Sequence, residues 1–124
     1  MGINIPGIDT EKALELYDDD LDIFLTVLRS YAESTPAVIE KLRNVSPEML
    51  PDYLALVHGV KGTSSAVGAE GIREITTELE SLAKSKDFPA IAALNKTFLE
   101  QADLLLLELK SWLDKVDSGQ IKLD

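Results

Sequence analysis

The chain has 124 residues, which suits one compact domain and leaves no room for a second domain with its own active site. Its 22 acidic and 12 basic side chains give a formal charge of −10, which argues against nucleic acid or an anionic membrane as partner, since both are polyanions. The absence of cysteine excludes disulfides, and the single histidine excludes a multi-histidine zinc site. Carboxylate-only metal sites stay open, but no calcium-loop spacing appears, and we expect no bound metal.

The sequence carries no pattern typical of a membrane or secretory segment. Residues 1–12 lack the basic and apolar regions of a signal peptide, and apolar runs such as Leu104–Leu107 are far too short to span a bilayer. We therefore expect a cytoplasmic protein.

The first half of the chain predicts one short and one long helix. The short helix covers Thr10–Tyr17, with Asp9 as its cap. The acidic run Asp18–Asp20 then supplies a cap and negative charge for a second helix over Leu21 to about Asn44. Pro36 interrupts this segment, and because the apolar residues resume on a compatible face, we expect a kink rather than a new helix.

The second half predicts three more helices. They cover about Pro51–Val67, about Ala69–Lys84 and Asp87–Val116. The second helix and these three segments are all amphipathic, and short connections join each of them to the next. The pattern predicts an all-α fold, an antiparallel four-helix bundle with a short additional N-terminal helix.

We expect a single domain over residues 1–124. Its helical core spans about residues 9–116, and residues 117–124 are predicted to form a frayed C-terminal tail.

The third predicted helix separates its apolar and polar residues into two stripes. The apolar stripe, which is expected to face the core, comprises Leu50, Tyr53, Val57, Val60, Ser64 and Val67. His58, Lys61, Gly62 and Ser65 form a second stripe roughly 120° away, because they follow the i, i+3, i+4, i+7 spacing. His58 is therefore predicted to lie at the edge of the core or in solvent.

The second stripe suits phosphoryl transfer. A neutral imidazole is nucleophilic near pH 7, Lys61 places an ammonium one turn from His58, and Gly62 leaves space for an incoming donor. Glycines inside a helix each cost about 1 kcal/mol relative to alanine, and such exceptions often mark function. The spacing alone leaves the alternative open that His58 is an ordinary surface residue and that Gly62 permits close helix packing.

The string from His58 to Ala69 closely resembles the signature of histidine phosphotransfer (HPt) domains, which reads His, two residues, Lys-Gly, small residues, an apolar residue and Gly. The resemblance covers roughly Gly7 to Trp112. It implies a four-helix bundle in which His58 is the exposed phosphoacceptor and carries the phosphoryl group on Nε2. Lys61 matches the lysine that steadies the phosphoryl group, and Gly62 matches the glycine that lets a receiver approach.

Glu80 matches a position where several family members carry Glu or Gln close to the histidine. As a carboxylate it is expected to accept from Nδ1–H, which would fix the tautomer and make Nε2 the better nucleophile. The competing interpretation is that Glu80 is an ordinary solvated charge.

The resemblance also implies the partners, namely receiver domains of response regulators, a histidine kinase, or both. Mg²⁺ is expected on the receiver and no cofactor on this chain, which is a phosphocarrier rather than an enzyme and is expected to be a monomer. Because receiver sites are acidic, we expect the surface around His58 to be less acidic than the average surface of the chain. Lys61, Ser65 and Leu54 are expected to contact the receiver.

Two alternatives stay open. In the first, the chain is a helical scaffold that binds partners without phosphorylation. In the second, it is the phosphoacceptor module of a larger hybrid histidine kinase. The combination of His58, Lys61 and Gly62 argues against the first, since a scaffold has no need of it.

Overall fold

The computed structural model describes residues 3–123, and within that range it is helical without any strand. Met1 and Gly2 of the predicted domain, and Asp124 of the predicted tail, lie outside the described residues. The helices are α1 Thr10–Leu16, α2 Leu21–Leu42, α3 Leu50–Val67, α4 Glu70–Lys84 and α5 Phe88–Asp117, with a 3₁₀ turn at Pro47–Met49 before α3. The predicted all-α bundle with a short N-terminal helix is confirmed.

Aspartates cap three of these helices at their N-termini. The Asp9 carboxylate accepts from the Lys12 N–H at 3.1 Å, Asp20 accepts from Ile23 at 3.2 Å, and Asp87 accepts from Ala90 at 3.3 Å. Each carboxylate satisfies a backbone donor that has no partner within its helix. Asp18 and Asp19, which precede the Asp20 cap, have φ of 52° and 61° and form the turn between α1 and α2.

Helix α2 continues through Pro36, so the prediction that no new helix starts there is confirmed. Pro36 lies on the exposed side of the helix. Because proline has no N–H, the Ala32 carbonyl four residues earlier loses its helical hydrogen bond without ending the helix.

The core is formed by the apolar stripes of α2 to α5. Helix α3 packs against α2 and α4, and its predicted core stripe is confirmed by the burial of all its members except Leu50, which is half-buried. The largest fully buried side chains across the bundle are Phe24, Phe98, Ile5, Leu28, Ile39, Leu42, Leu79, Ile91 and Leu109.

Two buried hydrogen bonds tie α3 to its neighbours. The Tyr31 hydroxyl of α2 lies 2.8 Å from Ser64 Oγ. The Tyr53 hydroxyl donates to Asn95 Oδ1 of α5 at 2.6 Å, and the Asn95 amide in turn donates to the Leu42 carbonyl at 3.0 Å. Because a displaced helix would leave these buried groups unpaired, they fix the register of α3 in the bundle.

Helix α1 closes the bundle over the turn that joins α3 to α4. The Asp9 N–H donates to the Gly68 carbonyl at 2.8 Å, and the Tyr17 hydroxyl donates to the Ala66 carbonyl at 2.7 Å. Gly68 has φ of +79°, and a Cβ added there would lie 2.5 Å from the Asp9 carbonyl oxygen. This turn therefore requires glycine both for its backbone conformation and for the approach of α1.

The segment 117–123, predicted as a frayed tail, contacts the rest of the bundle at several residues. Asp117 ends α5 and accepts two hydrogen bonds from Arg29 of α2, at 3.0 and 2.7 Å. The Ile121 N–H donates to the Lys115 carbonyl at 3.1 Å, and Ile121 and Leu123 are half-buried against the core. Local sequence gave no sign of this, because Arg29 and Asp117 are 88 residues apart.

No helix in the described part of the chain combines the length and the apolar character needed to cross a bilayer.

Gly68→Ala should lower the free energy of unfolding by about 2 kcal/mol or more, because it combines a left-handed backbone with a clash against Asp9. Gly59→Ala is the matched control: Gly59 is helical and a Cβ there meets nothing within 4 Å. It should raise the free energy of unfolding by about 0.5 to 1 kcal/mol. Urea denaturation measures both, and equal effects of the two variants would contradict this account of the turn.

Candidate functional site

His58 lies in the middle of α3 with its imidazole in solvent. The side chain is 69% exposed, whereas Val57 and Val60 on the same helix are buried in the core. The predicted position at the edge of the core is therefore observed, and another macromolecule can reach the ring.

Glu80 of α4 is in hydrogen-bond contact with the imidazole. Its Oε2 lies 2.8 Å from His58 Nδ1, and the Glu80 side chain is only 13% exposed. An ionised carboxylate can only accept a hydrogen bond, so Nδ1 carries the hydrogen and donates it. In the neutral ring this leaves Nε2 with its lone pair free, and Nε2 is the nitrogen away from Glu80.

Lys61 contacts the other oxygen of the same carboxylate. Its Nζ lies 2.6 Å from Glu80 Oε1, and the lysine side chain is 31% exposed. The contact is best described as an ion pair, because Oε1 has no well-aligned hydrogen-bond donor. Glu80 thus bridges His58 and Lys61, and the three side chains form one contiguous group on the seam between α3 and α4.

The surroundings of Glu80 favour its charged form. Burial raises the pKa of the carboxyl, but the contacts with Lys61 and His58 outweigh this, and the pKa lies below its ordinary value. Glu80 is therefore ionised at neutral pH. The stability that this pairing contributes is present above the ordinary carboxyl pKa and is lost as the pH falls through the lowered one.

Gly62 lies one turn from His58 on the exposed face of α3. A Cβ added there would meet nothing within 4 Å, so the glycine is not needed for packing against any residue of the described range 3–123. Its φ also lies outside the left-handed region. The alternative that Gly62 permits close helix packing is therefore wrong for contacts within that range, and its bare backbone faces solvent.

The other two predicted contact residues are less available than expected. Leu54 is half-buried and packs against the core rather than standing in solvent. Ser65 is also half-buried, and its hydroxyl donates to the Lys61 carbonyl at 2.9 Å. Residues at the flank of a helical stripe face the neighbouring helix, and the close packing of α4 on α3 covers them.

Lys84 is a candidate that our sequence analysis did not single out. It lies in the last turn of α4, four residues after Glu80, and is exposed. The sequence contains an indication of this position, because residues i and i+4 of a helix share a face. The spacing from Glu80 therefore places Lys84 beside the site.

The site suits an anionic group better than a metal ion. Within residues 3–123 there is no group of three His, Cys, Asp or Glu side chains that could hold a metal. Lys61 is instead the cation one turn from His58, where it can contact a phosphoryl group attached to the ring.

The model of one protein family, described as the Hpt domain, matches residues 26–119 of the chain. This range contains all the site residues discussed above. No curated protein and no solved structure was found to match.

The contact with Glu80 predicts which nitrogen of the neutral His58 ring carries the hydrogen. In long-range ¹H–¹⁵N spectra recorded where the ring is neutral, the wild type should have its hydrogen mainly on Nδ1. Glu80→Ala should shift the ring towards the Nε2–H form, whereas Glu80→Gln should keep Nδ1–H because its amide oxygen still accepts. A wild-type ring mainly in the Nε2–H form would rule out the orientation described.

Proposed function

The chain belongs to the Hpt domain family, whose members are phosphocarriers in phosphorelays, and from this premise we propose that His58 is the residue that carries the phosphoryl group. It accepts the group from a receiver-domain aspartate or a histidine kinase and passes it to another receiver. The observation that carries this proposal is the exposed imidazole whose Nδ1 is held by Glu80 at 2.8 Å.

The chemistry of acceptance follows from that contact. The lone pair of Nε2 attacks the phosphorus of an aspartyl phosphate, the bond from phosphorus to the aspartate oxygen breaks, and the aspartate leaves as a carboxylate. A bond between phosphorus and Nε2 forms, and Nδ1 keeps its hydrogen. The ring becomes positively charged, and the Glu80 carboxylate offsets that charge. Donation to the next receiver is the reverse sequence.

Lys61 has a second role once the phosphoryl group is attached. Its ammonium contacts Glu80 at 2.6 Å in the free protein and lies one turn along the helix from His58. A rotation of its flexible side chain brings the charge to the phosphoryl oxygens, where it offsets their negative charge. Glu80 therefore holds Lys61 close to the place where the new charge arrives.

Gly62 supplies the approach for the partner. The open space above it admits the loops of a receiver to within reach of Nε2, and Ser65 and Leu54 lie at the edge of the same surface. Mg²⁺ would belong to the receiver rather than to this chain. The donor and acceptor are cytoplasmic signalling domains in this proposal, and we place the protein in the cytoplasm as a monomer.

Of the two alternatives, a scaffold without phosphorylation gives no reason for the contact of Glu80 with Nδ1 or for the bare backbone at Gly62. A phosphoacceptor module within a larger kinase would use the same chemistry in another context.

His58→Gln tests the carrier directly. Incubation of the wild type with phosphoramidate, or with a phosphorylated receiver, should place phosphate on the protein that is labile in acid and stable in alkali. The label should be absent from His58→Gln, because the amide has no nucleophilic nitrogen. Wild-type protein that stays unlabelled by phosphoramidate and by every receiver tested would favour the scaffold alternative.

Gly62→Leu tests the approach of the partner. It should slow transfer from a phosphorylated receiver by about tenfold or more, because a side chain now occupies the docking surface. Labelling by phosphoramidate, a small donor, should fall far less. Gly71→Leu is the matched control, since Gly71 is also exposed with nothing within 4 Å of an added Cβ, but it lies at the start of α4. Equal effects of the two leucines on receiver transfer would contradict the role of Gly62.

A further inference from the structure

We propose that α3 and the adjoining edges of α2 and α4 form a carboxylate-poor docking face, which attracts an acidic receiver even though the whole chain carries a charge of −10. The inference rests on the proposed function of His58 and extends it to how the partner is recruited. It concerns the distribution of charge over three helices rather than the reacting groups.

Beyond its first turn, where Asp52 lies, helix α3 contributes no carboxylate to this face. From Tyr53 to Ala69 the sequence contains no Asp or Glu, and Lys61 is its only permanently charged residue. The side chains on the solvent side of α3 around His58 are small or absent, as at Ala55, Gly59 and Gly62. The flanking acidic residues, Asp52 and Glu70, lie at the two ends of the helix.

The edge of α4 beside α3 carries two carboxylates, Glu70 and Glu80, and both are already paired. Residues Arg73, Thr77, Glu80 and Lys84 follow the i, i+4, i+7, i+11 spacing and therefore share one side of the helix. The contact of Glu80 with His58 shows that this side faces α3. Glu80 is largely buried against Lys61, and Arg73 is paired with Glu70 at 2.6 Å. Among the residues that the structure describes, Lys84 has no ion-pair partner and contributes the unpaired charge of this edge.

Lys61 and Lys84 lie on opposite sides of His58 along the seam. Helices α3 and α4 are antiparallel neighbours joined by a tight turn, so the C-terminal direction of α4 leads towards the N-terminus of α3. Lys84 is four residues, or about 6 Å, beyond Glu80 in that direction. Lys61 is three residues, or about 4.5 Å, beyond His58 in the other direction.

The edge of α2 beside α3 carries a carboxylate only towards the C-terminal end of the helix, where Glu40 lines a groove with Lys41 and is paired with Arg43 at 2.9 Å. Its exposed residues on one stripe are Ile23, Ser30, Ser34, Ala37 and Lys41. The bond between Tyr31 and Ser64, and the groove in which Lys41 lies beside Leu56, place this stripe next to α3. The other acidic residues of α2, Asp22 and Glu33, fall on a separate stripe about 100° round the helix.

This distribution departs from the composition of the chain. There are 22 acidic side chains, yet over the central part of this face Glu80 is the single carboxylate among the described residues. Asp52 and Glu40 line the same groove as Lys41 at the end of the face and offset its charge, so the test is placed on the other edge and at the middle of α2. A receiver that uses carboxylates to hold Mg²⁺ is the acidic partner that such a face fits.

The first arm of the test adds a carboxylate. Ala37→Glu places it on the proposed face, since the Tyr31–Ser64 register brings Ala37 level with His58. Ala93→Glu is the matched control: it is the same exposed substitution with the same change in net charge, on α5 across the bundle. The second arm reverses a charge, with Lys84→Glu compared against Lys110→Glu in the groove between α2 and α5.

The probe is a purified receiver domain phosphorylated with acetyl phosphate, and the readout is the second-order rate of transfer at several salt concentrations. Ala37→Glu and Lys84→Glu should each slow transfer about 3- to 10-fold at low salt, and their controls much less. The wild-type rate should fall as salt rises, because screening weakens attraction. A wild-type rate that rises with salt, or face variants that match their controls, would overturn the proposal.

Labelling of each variant by phosphoramidate separates this inference from the proposed function. If phosphoramidate labels the wild type at His58 but transfer from receivers is insensitive to these charges, the docking face is refuted and the phosphoacceptor stands. If phosphoramidate labels His58 and no receiver reacts with the wild type, the docking face is refuted as well. If neither phosphoramidate nor a receiver labels His58, the proposed function itself fails.

Discussion

The arrangement of the site depends on one carboxylate held between two helices. Glu80 is largely buried at the seam of α3 and α4, where one oxygen meets His58 Nδ1 and the other meets Lys61 Nζ. A buried carboxylate is costly unless it is paired, so its two contacts hold both partners close to it. In the proposed function the same charge fixes the imidazole tautomer, offsets charge on the phosphorylated ring and keeps an ammonium within reach.

The rest of the bundle keeps this seam in register. The Gly68 turn determines how α4 returns along α3, and α1 closes over that turn through Asp9 and Tyr17. The buried pair of Tyr31 and Ser64 fixes α3 against α2 on the other side. A slip of one residue would rotate Glu80 by about 100° away from the imidazole, so these hydrogen bonds contribute to the site although they do not touch it.

Much of this could be predicted from the sequence, because it follows from helical period and capping. The caps at Asp9 and Asp20, the core stripe of α3 and the exposure of His58 depend on spacings of three and four residues. The pairing of Glu80 with His58 was expected only from the family resemblance. The packed tail and the burial of Leu54 could not be predicted, because they depend on contacts between distant segments, such as Arg29 with Asp117. The open space at Gly62 likewise required coordinates.

The position of the phosphoryl group on the ring tests the central claim most directly. Protein labelled with ¹⁵N at histidine, once phosphorylated, should show ³¹P coupling at Nε2 of His58, with Nδ1 still protonated and hydrogen-bonded to Glu80. That result would establish that the carboxylate directs the chemistry to the outer nitrogen. Coupling at Nδ1, or phosphate on any residue other than His58, would contradict the account.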